Sequence, residues 1–69
     1  MITLDDYLMG LRKAKKTYSQ GLELAKQFAL NNGGEFVTTN ENETVLKVFG
    51  EEAHCFQPYP DIDIFYFEM

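Results

Sequence analysis

Hydrophobic positions in the first thirty residues fall at Leu4, Tyr7, Leu8, Leu11, Ala14, Tyr18, Leu22, Ala25 and Ala29, spaced by threes and fours. That spacing gathers them into one stripe on a helix of 3.6 residues per turn. Thr3 can cap the start with its hydroxyl, and Asp5 and Asp6 put carboxylates in the first turn, where the helix dipole favours them. Asn31-Asn32-Gly33-Gly34 supplies the left-handed conformers that end a helix. The pattern predicts one helix over 4–31, roughly 42 Å long at 1.5 Å per residue. Thr17-Tyr18-Ser19-Gln20-Gly21 is its weakest stretch, because these are mediocre helix formers in a row. A kink or a two-helix hairpin there is the alternative, but the stripe keeps its phase and favours one helix. Gly10, Ala14, Gly21 and Ala25 share one flank. Small residues there let a neighbouring backbone approach, either the chain's own sheet or, in the sharper version, a second copy of the helix.

Beyond the glycines the period changes from helical to alternating. Strands are expected over 35–39, 44–49, 53–57 and 62–67, with Thr-Val-Leu-Lys-Val-Phe at 44–49 the clearest. Asn40-Glu41-Asn42-Glu43 reads as a hairpin loop and Gly50-Glu51-Glu52 as a turn. Pro58-Tyr59-Pro60 must be a loop, since two prolines cannot sit in a central ladder. The expected fold is α+β and two-layered: one long N-terminal helix packed on a three- or four-stranded antiparallel meander sheet, as a single domain over 1–69. The helix stripe would cover Leu46, Val48, Ile62, Ile64 and Phe36. The far face would then carry Val45, Lys47, Phe49, Asp63, Phe65 and Phe67. Two unmatched phenylalanines on a far face would mark an interaction site.

A chain of 69 residues buries only about 60% of the surface its unfolded form exposes. One cysteine, Cys55, excludes an internal disulfide, and no Cys/His spacing suggests a zinc staple. Association therefore becomes an attractive source of stability, with a homodimer as one form of it. A lone thiol suits a reducing compartment. The N-terminus has no basic leader ahead of an apolar block, and no apolar run reaches the ~18–20 residues of a membrane span. The expectation is a soluble, cytoplasmic protein without a membrane partner.

The net charge of −5 conceals an asymmetry. Residues 1–34 hold Arg12, Lys13, Lys15, Lys16 and Lys26 against Asp5, Asp6 and Glu23. Residues 35–69 hold Glu35, Glu41, Glu43, Glu51, Glu52, Asp61, Asp63 and Glu68 against Lys47 alone. An acidic, aromatic half repels a phosphate backbone and suits a basic protein surface. Arg12-Lys13-Ala14-Lys15-Lys16 wraps around its helix without forming a stripe, which makes direct nucleic-acid binding an unfavoured reading.

Chemistry-bearing constellations are sparse. Asp61 and Asp63, with Glu51, Glu52 and His54 nearby in sequence, are the oxygen-rich group to weigh for Mg²⁺ or Ca²⁺, but the calcium-loop pattern is missing and no metal is expected. His54 and Cys55 are adjacent in a strand and so point to opposite faces, which prevents a thiol–imidazole pair. Gly33-Gly34 follows a helix instead of opening one and cannot cradle a phosphate at a helix N-terminus. No catalytic residue or cofactor is expected. The chain reads as a small acidic protein-binding module, an inhibitor or adaptor engaging a basic surface. Tyr59, Phe65, Tyr66 and Phe67 are its candidate anchors, and Glu51, Glu52, Asp61 and Asp63 its acidic rim. Small phage or mobile-element proteins that block nucleic-acid-binding host proteins offer an analogy of class, although eleven acids are fewer than a phosphate mimic carries. The alternative is a self-assembling structural protein, an obligate homodimer joined through the aromatic sheet face.

Overall fold

A computed structural model describes residues 2–39 and 42–69. Within them the chain forms α1 (Leu4–Lys13), α2 (Tyr18–Asn31), β1 (Glu35–Thr38), β2 (Thr44–Val48), β3 (Glu51–Phe56) and β4 (Tyr66–Glu68). The strands make one antiparallel meander in the order β1-β2-β3-β4. The α+β, two-layer expectation is therefore met, with helices on one face of the sheet. Asn40 and Glu41 of the expected hairpin loop lie outside the described residues.

The single helix over 4–31 is corrected to two. Thr3 caps α1 as expected, its hydroxyl accepting from the Asp6 N–H at 3.1 Å. The chain then leaves the helix at Ala14, and Lys15 adopts a left-handed φ of 55°. Thr17 restarts it, its hydroxyl accepting from the Gln20 N–H at 3.2 Å. The far end of the chain fills the gap between the helices. Asp63 Oδ1 accepts from the Tyr18 N–H at 3.0 Å, and the Phe65 N–H donates to the Lys16 carbonyl at 3.1 Å. A stripe in phase cannot reveal a break whose stabilising partners lie more than forty residues away.

At the other end α2 stops where the sequence says it should. The Gly34 N–H reaches the Ala29 carbonyl at 2.7 Å and the Gly33 N–H the Leu30 carbonyl at 3.3 Å, a Schellman closure with Gly33 at φ 75°. The β2–β3 connection is tighter than expected. Only Phe49 and Gly50 turn, at φ 57° and 73°, while Glu51 and Glu52 belong to β3. Such a primed two-residue turn matches strand twist and fixes the register at Val48↔Glu51 and Leu46↔Ala53.

Leu4, Leu8 and Leu11 of α1 and Ala25, Phe28 and Ala29 of α2 pack on Leu46, Val48, Ala53 and Cys55. Face assignments for Phe36, Leu46 and Val48 (inward) and for Val45 and Lys47 (outward) agree with the sequence reading. Those for the closing segment are reversed. Phe65 and Phe67 are core residues, 1% and 5% exposed, whereas Ile62 is 50% exposed and Ile64 only half-buried. The expected strand over 62–67 is corrected to Tyr66–Glu68, because the chain first passes under α2 through an irregular stretch. Burying two phenyl rings removes more apolar surface from water than burying two isoleucines. Gly21 makes the room: a Cβ there would stand 2.5 Å from Cγ of Phe65. The other half of the small flank behaves differently, since Gly10 is exposed and a Cβ there would meet nothing within 4 Å.

Candidate interaction surface

The sheet face turned away from the helices is built by strand alternation and register. Glu35, Lys47 and Glu52 stand in one cross-strand row. Val37, Val45, His54 and Glu68 stand in the next, and Phe56 faces Tyr66 beyond them. Glu43, just ahead of β2, joins this face by accepting from His54. Its Oε1 lies 2.7 Å from Nδ1, while Nε2 lies 3.2 Å from Oε1 of Glu52. The hydrogen bond to Glu43 is the main influence on the imidazole. With the charges of Glu43 and Glu52 it outweighs partial burial and raises the His54 pKa above 6.5. Among the described residues, four glutamates, one lysine and one histidine thus share a face on which Val45, Phe56 and Tyr66 are half-buried and Val37 is 55% exposed.

Beside that face lies a cleft of about 580 Å³, lined by Arg12, Phe56, Pro58, Tyr59, Ile62, Ile64, Phe65, Tyr66 and Glu68. Its rings are in contact: Phe56 meets Tyr66 edge-on at 5.3 Å. The Arg12 guanidinium sits 4.5 Å from the centre of the Tyr66 ring, a cation–π arrangement. A bridge between Tyr59 and Ile62 closes the turn at the rim, leaving them 60% and 50% exposed. Gln57 ties this loop down by donating to the Ile62 carbonyl at 2.9 Å.

The sequence-derived site residues separate on this frame. Tyr59, Tyr66 and the edge of Phe65 meet in the cleft, but Phe65 is otherwise core and Phe67 is wholly so. The far-face location given to these two rings is therefore overturned, and with it the aromatic sheet face through which a dimer was expected to form. Glu52 faces outward, bonded to His54. Glu51 is half-buried and lines a separate hollow of about 370 Å³ with Gly33, Gly34 and Phe49. Asp61 is exposed at the Tyr59–Ile62 turn, and Asp63 is occupied at the start of α2. Arg12, Glu43, His54, Phe56, Ile62 and Glu68 were not singled out as contact residues. The alternation of β3 already places Glu52, His54 and Phe56 together, but the approach of Arg12 has no local signal.

Cys55 is fully buried on the helix side of the sheet, and burial pushes its thiol up to about 12. His54 lies on the opposite face with both ring nitrogens engaged by carboxylates. Among the described residues no group of three metal-ligating side chains could hold an ion, and no helix is long and apolar enough to cross a membrane. Comparison with models of known families, with curated proteins and with solved structures finds no significant match.

Proposed function

We propose that this chain is a small, non-catalytic protein-binding module, an inhibitor or adaptor, that offers its acidic sheet face and the adjoining aromatic cleft to a basic protein surface. The observation that carries it is the juxtaposition of Glu35, Glu43, Glu52 and Glu68 on one face with a rim of exposed Tyr59 and Ile62. Acids steer a basic partner and penalise acidic ones, whereas the tyrosine and isoleucine supply desolvated contact area. A nucleic-acid-binding protein is one target with such a surface. The buried, high-pKa thiol and the carboxylate-engaged histidine support a role without turnover.

The test begins by immobilising the parent and a Glu35→Lys/Glu43→Lys/Glu52→Lys variant and exposing both to extract of the native host. A protein retained by the parent is identified and titrated calorimetrically against both forms at several salt concentrations. Retention of a basic partner that weakens with salt and is lost with the triple variant is expected. Equal binding by the charge-reversed form would reject the assignment.

A further inference from the structure

From the edge of the sheet we infer that the chain pairs with a second copy of itself along β4, antiparallel about a two-fold axis at Phe67. This inference does not depend on the basic-partner reading. β4 is the last strand of the sheet, and its residues pair only with β3 among the described residues. An open edge is a template for another strand. In an antiparallel register centred on Phe67, each Tyr66 lies opposite Glu68 of the partner copy.

That register brings unsatisfied charges together. Arg12 is stacked on Tyr66, and neither Arg12 nor Glu68 has an ion-pair partner among the described residues, although both line the same cleft. Two-fold pairing sets each guanidinium beside the mate's carboxylate, twice by symmetry, as an isologous interface requires. The edge at β1 offers no such match. Glu35–Thr38 contains no cation to answer Glu35, and Lys26 is held over the Phe36 ring at 5.1 Å. A dimer through β4 would join the two outer faces into one continuous acidic surface.

Sedimentation equilibrium of the parent, Arg12→Glu, Glu68→Arg and the exchanged pair Arg12→Glu/Glu68→Arg tests this. A parent dimer is expected, with each single reversal weakening it at least about tenfold and the exchange restoring it to within about threefold. Hydrogen exchange on the unmodified chain gives a second measurement: protection of the Tyr66–Glu68 amides should rise with protein concentration. A monomeric parent at about 500 μM, where even weak pairing registers, would overturn the proposal. So would single reversals without effect, an exchange that fails to restore pairing, or concentration-dependent protection at β1 in place of β4.

Discussion

Gly10 and Gly21 both sit inside helices, yet the same substitution should move stability in opposite directions. Glycine costs a helix interior about 1 kcal/mol relative to alanine, so Gly10→Ala, whose new methyl meets nothing within 4 Å, should stabilise the chain by 0.5–1 kcal/mol or thereabouts. At Gly21 the methyl would land 2.5 Å from Cγ and 2.6 Å from Cβ of Phe65. Those atoms are close to the backbone of a ring that is 1% exposed, so no rotamer change relieves the overlap. The Phe65 backbone must move, against its hydrogen bond to the Lys16 carbonyl. With three contacts under 3.0 Å, overpacking should cost the upper part of its usual range, about 2–3 kcal/mol, and after a helical gain of up to about 1 kcal/mol a net loss of about 1–2 kcal/mol remains. For a domain of this size that is a fall of roughly 4–16 °C in Tm. Urea and thermal unfolding followed by far-UV circular dichroism would measure both variants in one experiment. If Gly21→Ala is as stable as the parent, the ring does not lie against α2 and the burial of Phe65 is wrong. A destabilising Gly10→Ala would instead mean that the exposed flank is in contact with something.

Three further outcomes follow from single contacts. Asp63→Ala removes the acceptor for the Tyr18 N–H at the start of α2 and should cost about 0.5–2 kcal/mol in urea titrations, while the same change at exposed Asp61 should cost little. Cys55 should stay unreactive toward a chromogenic disulfide at neutral pH until urea unfolds the chain, because burial keeps its thiol protonated; rapid native labelling would contradict that burial. His54 has a folded pKa above its unfolded 6.5, so its contribution is fully present below about 6.5 and is lost as pH rises through the folded value. The stability difference between parent and His54→Gln should accordingly shrink from pH 6 toward pH 8.5, by at most about 1 kcal/mol because the pair is solvated; a difference that grows instead would refute the bonding to Glu43 and Glu52.

Local rules sufficed wherever a decision was local. Thr3 and the Asn31–Gly34 run mark helix ends by their own chemistry, and alternation within 44–48 orients Leu46 and Val48 correctly. They failed where two separated segments settle one another. Residues 14–17 break the helix because Asp63 and Phe65 satisfy the backbone there, and Phe65 turns inward because Gly21 leaves space for it. Each half of that arrangement looks unmotivated alone: a glycine inside a helix, and a phenylalanine alternating with two isoleucines that the strand pattern assigns to the core. The surface was legible in part. Tyr59 and Tyr66, which line the cleft, stand out in the sequence as aromatic candidates, but only register joins Glu43, His54, Glu52 and Glu68 into one face.

The inward turn of Phe65 and Phe67 also changes what a contact surface can consist of here. Rings that hold the core cannot double as anchors, because truncating either costs roughly 3–5 kcal/mol, a large share of what a domain of this size possesses. Side chains left for recognition are those whose removal barely touches the core: Tyr59, Ile62, the outward glutamates and Arg12, all at least partly exposed. On the proposed reading, binding and stability would be carried by different residues. Charge reversal on the outer face should therefore alter association without unfolding the chain. A single-layer aromatic face serving both purposes would lose the two together. Equal unfolding free energies for the parent and the Glu35→Lys/Glu43→Lys/Glu52→Lys variant, within about 1 kcal/mol at a pH where His54 is neutral, would establish that separation. Collapse of the fold would show the acids to be structural, with the His54 cluster acting as part of the sheet.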